Sequence, residues 1–425
     1  MPTLPYRTAV RVAQRLPLPA GKLADSLAGR RAAAARWRRW AGEARGPGPL
    51  LWVHAASVGE ALTALPVVTR LRVARPDLQV VLSHSSPSVA RWPEPLGVDH
   101  VDFVPADEPH ALGEVYDALR AAAVLFARGD LWPELMTQAA HRHVPVAVCG
   151  AAVRPRSVRL RWPVRALLSA PLRAVAWLGA ISAEDADRWL RLGVTPEAVT
   201  VTGDPRHDAV IERVPRLAPL GSLHSWRDGA AVMVAASTHR SDEAPLLDAA
   251  AAVLPDRPTA RLVVVPHEPR AATVRRILAA ATARGLDATT WQAGAPTPKT
   301  SMIVADQVGI LFDLFQVADM AYVGGGFERT GLHAVVEPAA FALPTALGPV
   351  WRTSLDAAQL VAAGGALPLP RRRPARALAD TWRRWLDDPP ARKTAGLAAR
   401  RALQAGAADT TAKAVLRLLA TGPAR

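Results

Sequence analysis

The stretch LLWVHAASVGE, residues 50–60, sets the pattern that the rest of the sequence repeats. Its first half is a continuous apolar run as long as a strand, and Ser57, Gly59 and Glu60 then open a helical pattern. A short apolar run between helical stretches is typical of a strand in a parallel sheet that is covered on both faces. The stretch therefore predicts the first strand-to-helix unit of an α/β fold.

The same pattern recurs in two series. The first series continues with QVVLSHS from 79, AAVLFARG from 122, VPVAVCGAA from 144, AVAWLGAIS from 174 and AVTVTG from 198. The second series consists of AAVMVAAST from 230, ARLVVVPH from 260, SMIVAD from 301, MAYVGGG from 320 and TALGP from 345. Two series of buried strands predict two Rossmann-like domains with parallel sheets. We place a basic lead-in at 1–49, a first domain at 50–213, a Pro-rich linker at 214–222 and a second domain at 223–425.

Composition excludes several classes of protein. Hydrophobic residues make up 50% and charged residues 21% of the chain, which is a globular balance and excludes a disordered protein. Cys149 is the single cysteine, so a disulfide framework and a cysteine zinc site are excluded. No run of about 18 apolar residues is present, so the sequence predicts no membrane-spanning helix.

The net charge of +15 comes from 52 basic and 37 acidic residues. Biased base composition explains such an excess as well as a basic surface for anionic lipid or an anionic substrate does. Nucleic acid is disfavoured because aromatic residues are only 5% and do not alternate with arginine outside 36–40. The segment RRAAAARWRRW, residues 30–40, sets tryptophan beside arginine as membrane-facing helices do, which favours membrane contact over a helix packed on the domain.

Ligands of parallel sheets bind at the carboxyl ends of the strands, so the polar residues there are the candidates for chemistry. In the first domain these are Glu60 in a first helical turn, Asp130 after the third run, and Arg206 after the last run. Glu60 there would be kept ionised by the helix dipole, as a general base requires, and a guanidinium at 206 matches two phosphate oxygens. Each also has a structural alternative: a cap for Glu60 and Asp130, and a surface ion pair for Arg206.

The second domain offers a different set of residues. His267 and Arg270 follow the second run, and Glu337 lies in a later helix. The three glycines 324–326 end a strand, where we expect the backbone to approach a ligand closely. Their spacing is not GxGxxG, so a dinucleotide fingerprint is absent.

The order of these motifs resembles the 3-deoxy-D-manno-octulosonate (Kdo) transferases of lipopolysaccharide synthesis. The resemblance runs from about residue 50 to 366. It is carried by WVHAASVGE (52–60), DLWPEL (130–135), SAEDADRWLRLGV (182–194), VTGDPRHD (201–208), AASTHRSDE (235–243), VPHEPR (265–270) and GGGFERTGLHAVVEPAAF (324–341) followed by GPV (348–350).

The resemblance implies a GT-B glycosyltransferase with two facing Rossmann-like domains. It implies CMP-Kdo as donor, a lipid A precursor as acceptor, no metal or cofactor, an inverting reaction, and an anionic membrane surface at the cytoplasmic face of the inner membrane. Glu60 matches the catalytic base, and Asp130 and Arg206 stand where the family has a Glu and a Lys that stabilise the transition state. The residues that fall in nucleotide-binding segments are Pro266, His267, Arg270, Val308, Gly309, Gly324, Gly325, Gly326, His333 and Glu337.

The sequence also departs from the family's pattern. Arg128 stands where the family has an acid, Asp204 where it has an Asn, Ile310 where it has a Glu and Ala334 where it has an Asn. Two other readings therefore stay open at this point. One is a nucleotide-sugar 2-epimerase of the same fold, and the other is a non-catalytic relative that binds membrane or a partner protein.

Overall fold

The computed structural model describes residues 4–15, 21–90, 97–291, 300–328, 332 and 334–421. The chain divides into two compact units, the first made of residues 1–209 with 404–425 and the second of residues 210–403. Each unit is built on a seven-stranded parallel sheet. The predicted α/β class is confirmed.

The sheet of the first unit has the strand order β3-β2-β1-β4-β5-β6-β7. Its strands are β1 Leu50–His54, β2 Gln79–His84, β3 His100–Phe103, β4 Ala123–Ala127, β5 Val146–Ala151, β6 Val175–Ala180 and β7 Val199–Val201. Its helices are α1 Leu4–Arg15, α2 Lys22–Arg31, α3 Ala33–Ala44, α4 Val58–Ala74, α5 Pro87–Ala90, α6 Pro109–Leu119, α7 Pro133–His141, α8 Val164–Leu172, α9 Ala183–Leu192 and α10 Pro205–Arg213, which runs on into the second unit.

The sheet of the second unit has the order β10-β11-β9-β8-β12-β13-β14. Its strands are β8 Ala231–Thr238, β9 Ala260–Pro266, β10 Ala288–Thr290, β11 Met302–Val304, β12 Met320–Val323, β13 Thr345–Leu347 and β14 Ala366–Pro368. Its helices are α11 Gly221–Arg227, α12 Arg240–Val253, α13 Ala271–Thr282, α14 Leu311–Leu314, α15 Val336–Ala340, α16 Leu355–Ala362, α17 Pro374–Asp387 and α18 Pro389–Ala402. The last helix of the chain, α19 Ala407–Thr421, belongs to the first unit.

The division of the chain differs from the predicted one at its C-terminal end. The sequence pattern places residues 404–425 in the second domain, whereas α19 packs against α4 of the first unit. The predicted linker 214–222 is also not a free connection, because it forms a short 3₁₀ turn and the start of α11 within the second unit. A helix that is distant in sequence can pack on an apolar face that local pattern does not reveal.

The first 49 residues are part of the first unit and not a separate lead-in. Trp37 is fully buried and contacts the ring of Trp52 at 6.1 Å between centroids. Trp40 stacks on His100, and Arg36 forms an ion pair of 2.6 Å with Asp102. The prediction that these tryptophans face a membrane is wrong, because their rings complete the apolar cover of the sheet.

No helix among the described residues combines the length and apolar character needed to cross a bilayer.

The attachment of α19 is tested by Asp208. Its buried carboxylate accepts hydrogen bonds of 2.5 Å from Gly406 N–H and 2.7 Å from Ala408 N–H, at the start of α19. We expect Asp208→Ala to lower the free energy of unfolding by about 2 kcal/mol, because two backbone N–H groups at the start of α19 lose their acceptor. Urea denaturation of the full chain measures it.

The matched control is Asp409→Ala, whose exposed carboxylate pairs with Arg70. An exposed ion pair contributes at most about 1 kcal/mol, so the control is expected to lose clearly less stability. Equal losses in the two variants would contradict the role given to Asp208.

Candidate active site

Glu60 lies in the first turn of α4, where β1 meets its helix. Its Oε2 accepts a hydrogen bond of 2.6 Å from the backbone N–H of Ala56, and the side chain is half-buried. Burial raises the pKa of Glu60 above its usual value, and the Ala56 N–H offsets only part of that rise. The helix start alone predicts a readily ionised carboxylate, whereas desolvation is the largest effect on Glu60 and raises its pKa. A carboxylate with a raised pKa is the better proton acceptor once it is ionised.

Three charged side chains act on Glu60. The negative charge of Asp130 raises the pKa of Glu60, while the positive charges of Arg128 and Arg159 lower it. Asp130 forms an ion pair of 3.2 Å with Arg159, which also donates to the carbonyl of Gly129. The structure therefore brings two of the predicted catalytic residues, Glu60 and Asp130, into one electrostatic cluster.

Asp130 does not cap the helix that follows it, although a cap was one alternative for this residue. The backbone N–H groups of Glu134 and Leu135 at the start of α7 donate instead to the buried carboxylate of Asp107, both at 3.0 Å. The half-buried side chain of Asp130 instead pairs with Arg159 and lies near Glu60.

Arg206, the third predicted catalytic residue, is held by the buried carboxylate of Asp204. Its Nη2 and Nε lie 2.8 and 3.0 Å from Asp204 Oδ2, and Arg128 Nη2 reaches the same oxygen at 2.7 Å. Arg128 has a φ of 70°, a left-handed conformation that is unfavourable for a non-glycine residue. Two guanidinium groups share one carboxylate, so the trio keeps one formal positive charge. Arg206 therefore forms an ion pair, as the structural alternative for this residue predicted. Its partner Asp204 is buried and is shared with Arg128, so the pair is not a surface ion pair.

A second network in the same unit was missed by sequence reasoning. The indole N–H of Trp132 donates to Nε2 of the buried His54 at 3.0 Å, and His54 Nδ1 lies 2.9 Å from Ser83 Oγ. Burial lowers the pKa of His54 to about 3, so the ring is neutral. The guanidinium of Arg30 lies 4.2 Å from the centroid of the Trp132 ring. The quoted motifs WVHAASVGE and DLWPEL contained two of these residues, but nothing in the sequence showed that they touch.

In the second unit, Asp242 organises the strand ends around the glycine segment. Its fully buried carboxylate accepts hydrogen bonds from His239 N–H at 2.7 Å, Tyr322 O–H at 2.6 Å and Gly325 N–H at 2.9 Å. Burial raises the pKa of Asp242, and the three donors oppose that rise. The carboxylate thus ties the end of β8 to the loop after β12.

The three glycines serve close packing of the protein itself. A Cβ on Gly324 would lie 2.4 Å from the carbonyl oxygen of Ser237, and one on Gly326 would lie 2.5 Å from Cα of Gly348. Gly325 has a φ of 84°, which favours glycine. Neighbouring backbone therefore requires glycine at 324 and 326 for packing, and close approach of a ligand to this backbone stays a prediction.

The other nucleotide-binding candidates lie at neighbouring strand ends of this sheet. Pro266 is the buried last residue of β9, and the exposed His267 stacks on His239 at 4.7 Å between ring centroids. Arg270 precedes α13 and pairs with Glu268 at 2.9 Å. Val308 and Gly309 are exposed and follow β11 in the chain. β11, β9, β8 and β12 are consecutive in the sheet, so these residues lie at one edge.

Glu337 lies in the first turn of α15, and His333 lies outside the described residues. Burial raises the pKa of Glu337 to about 7, and the positive charge of Arg213 opposes that rise. Glu337 therefore changes its charge near neutral pH.

The sequence model of the family described as 3-deoxy-D-manno-octulosonic-acid transferase (kdotransferase) matches residues 30–209. The 3-deoxy-D-manno-octulosonic acid transferase of Bordetella pertussis is 30% identical over 387 residues, which cover 87% of each chain. The chain belongs to the Kdo transferase family. The enzyme of the same name from Haemophilus influenzae is 26% identical over 303 residues, 70% of each chain.

Solved structures show that this Kdo transferase family member has the predicted GT-B fold. The UDP-GlcNAc 2-epimerase of Neisseria meningitidis, bound to UDP-GlcNAc, has a TM-score of 0.63 at 14% identity and covers 87% of this chain and 100% of its own. A glycosyltransferase of Rickettsia africae has a TM-score of 0.58 at 10% identity and covers 88% and 99%. At such identities the likeness concerns the fold alone. The likeness to an epimerase structure therefore does not support an epimerase activity for this chain. Membership of the Kdo transferase family makes the chain a glycosyltransferase.

The ionisation of Glu337 predicts a pH-dependent gain of stability in Glu337→Gln. Below the unfolded pKa both states of the protein hold the proton, so burial of Glu337 carries no penalty. As the pH rises through about 7, the fold must accept a buried charge, and the penalty is complete above that pH. We expect the variant to be more stable than the wild type by roughly 2 kcal/mol at pH 8 and by much less at pH 5.

Urea denaturation at the two pH values measures this gain. Glu268→Gln is the control, because Glu268 is exposed and pairs with the exposed Arg270. The control is expected to change stability little at either pH. A gain from Glu337→Gln that is the same at pH 5 and pH 8 would show that burial of the charge is not its cause.

Proposed function

We propose that this chain transfers Kdo from CMP-Kdo to a lipid A precursor, without a metal ion and with inversion at the sugar. We place the reaction at the cytoplasmic face of the inner membrane, on an anionic membrane surface. The names of the relatives from Bordetella pertussis and Haemophilus influenzae support the transferred sugar. The observation that carries the proposal is Glu60, a half-buried carboxylate with a raised pKa, held by a backbone N–H and flanked by arginines.

Glu60 acts as the general base. The Ala56 N–H holds Oε2, and no described residue bonds to Oε1, which is available to an acceptor hydroxyl. Oε1 takes the hydroxyl proton as the acceptor oxygen forms its bond to the anomeric carbon of Kdo. The bond from that carbon to the CMP phosphate oxygen breaks, and its electron pair leaves with CMP. Attack from the face opposite the leaving group inverts the anomeric carbon.

Arginine takes the part that a metal ion plays in other transferases. As the bond to CMP breaks, negative charge grows on one phosphate, beside the carboxylate of the sugar. The trio of Arg128, Arg206 and Asp204 keeps one formal positive charge, and Asp204 fixes both guanidinium groups before substrate arrives. Cations that are already in place stabilise developing charge without reorganisation. Asp130 and Arg159 set the potential around Glu60 and keep its proton affinity in a useful range.

The nucleotide belongs to the second unit in this proposal. His267, Arg270 and the loop at 308–309 supply cationic and backbone groups at one edge of its sheet. Gly324, Gly325 and Gly326 hold that edge in shape through Asp242 and Gly348. Glu337, once ionised, can accept hydrogen bonds from ribose hydroxyls.

Replacement of the base tests the mechanism. We expect Glu60→Gln to lower the transfer rate by a factor of about 10² to 10⁴, because the amide cannot accept the proton. CMP binding, measured by calorimetry, is expected to match the wild type, since the nucleotide is held by the second unit. Glu43→Gln, at an exposed position of α3, is the control and is expected to keep full activity. Wild-type transfer by Glu60→Gln would end the proposal, and loss of CMP binding would assign Glu60 a structural role instead.

Metal removal tests the role given to arginine. Transfer from CMP-Kdo to a lipid A precursor is expected to proceed at the same rate with and without excess EDTA, because Arg128 and Arg206 already meet the phosphate charge. Loss of activity in EDTA with recovery on adding Mg²⁺ would show that the reaction uses a metal. The anomeric configuration of the product, read by NMR, tests inversion in the same samples.

A further inference from the structure

The segment between β5 and α8 forms a basic surface beside the candidate base. It leaves the sheet at Ala151, and β5 is the neighbour of β4, whose end carries Asp130. A cavity of about 520 Å³ opens here. Its lining consists of Ala152, Val153, Arg154, Arg156, Ser157 and Arg159.

The arginines of this cavity differ in what they contact. Arg159 is committed to Asp130 and Gly129. Arg154 and Arg156 are exposed, and within the described part of the chain neither guanidinium forms an ion pair or a hydrogen bond. No acid lies among the described residues that line the cavity. Two unpaired guanidinium groups and a serine hydroxyl, without a neighbouring acid, match the oxygens of a phosphate monoester.

Hydrogen bonds hold both ends of the loop that lines the cavity. The buried carboxylate of Asp185 accepts a hydrogen bond of 2.7 Å from Val153 N–H, and Arg188 donates to the Val153 carbonyl at 3.2 Å. Ser157 Oγ accepts from Arg159 N–H at 3.3 Å and starts the 3₁₀ turn at 158–160. The start and the end of the loop that carries Arg154 and Arg156 are therefore both held in place.

Apolar side chains on the same segment indicate where the phosphate comes from. Trp162 is 79% exposed and Val158 is 63% exposed, and the exposed Arg161 lies between them in sequence. Exposed tryptophan beside arginine is typical of a surface that meets a bilayer interface. A soluble phosphate gives no reason for exposed apolar side chains beside its site, whereas a phosphate on a lipid does.

We propose that Arg154 and Arg156 bind a phosphate group of the lipid acceptor and so orient its sugar hydroxyl toward Glu60. This proposal rests on the proposed function, which supplies the lipid acceptor. Arg159 connects the cavity to the candidate base, because it lines the cavity and pairs with Asp130 beside Glu60. The pocket takes a phosphate monoester that the bilayer presents.

The experiment compares acceptors with and without the phosphate. Steady-state transfer to a phosphorylated lipid disaccharide and to its phosphatase-treated form is measured in the same detergent micelles. The wild type is expected to show an acceptor KM about tenfold higher for the dephosphorylated form, as for the loss of one charged contact. The double variant Arg154→Gln and Arg156→Gln is expected to show that higher KM with both acceptors and a lower kcat, because the sugar hydroxyl is no longer oriented toward Glu60, with the CMP-Kdo KM unchanged.

The matched control is the double variant Arg165→Gln and Arg173→Gln. It removes the same charge from exposed arginines within α8 and directly after it, outside the cavity lining. The control is expected to keep the wild-type preference for the phosphorylated acceptor. An equal loss of preference in the control would assign the effect to general surface charge and overturn the site. A pocket variant that keeps the wild-type preference, or raises only the CMP-Kdo KM, would overturn it too.

Binding to lipid separates failure of the site from failure of the proposed function. Sedimentation with phosphatidylcholine vesicles, with and without phosphatidic acid, reports the phosphate monoester independently of transfer. Phosphatidic acid is expected to increase binding of the wild type and the control, and not of the pocket variant. If the wild type shows no Kdo transfer but this pattern holds, the proposed reaction is wrong and the site stands. Two results together would overturn the lipid proposal. They are loss of the preference for the phosphorylated acceptor in millimolar inorganic phosphate, and no increase in vesicle binding with phosphatidic acid. The pocket would then bind free anions.

Discussion

The first unit depends on one buried carboxylate, that of Asp204, which two arginines share. Arg128 follows β4 and Arg206 follows β7, so the contact joins strand ends separated by two strands of the sheet. Removing a partner from such a buried group leaves an uncompensated charge, which is strongly destabilising. Arg128 also lies close enough to Glu60 for its positive charge to lower the pKa of that carboxylate. The contact of Arg128 with Asp204 therefore stabilises the fold and also positions a cation near Glu60.

Asp204 also explains two departures from the family's pattern together. An arginine where the family has an acid and an acid where it has an amide look like two unrelated losses along the sequence. In the fold they form one ion pair of 2.7 Å, so each compensates for the other. Asp204 also holds Arg206 at 2.8 Å, so the ion pair between positions 128 and 204 is compatible with a working site.

Buried carboxylates recur at strand and helix ends throughout the chain. Asp107 holds the start of α7, Asp208 the start of α19, and Asp242 joins β8 to the glycine loop. Each accepts hydrogen bonds from backbone N–H groups that would otherwise be unsatisfied. The loops that carry the predicted site residues are therefore anchored from below by acids that the sequence did not single out.

The sequence by itself determined the fold class, the family and the strand ends where chemistry belongs, because buried parallel strands and their first helical turns leave local patterns. It placed Glu60 and Asp130 correctly at such ends, and the structure brings them into one electrostatic cluster. It misplaced the tryptophans of the first helices and the last helix of the chain. It did not reveal that the glycines at 324 and 326 are required by packing against neighbouring backbone. Those features depend on which distant surface a residue meets: Trp37 on Trp52, α19 on α4, and Gly326 on Gly348. Only the tertiary structure decides such contacts, since packing between residues far apart in sequence leaves no periodic signal in either of them.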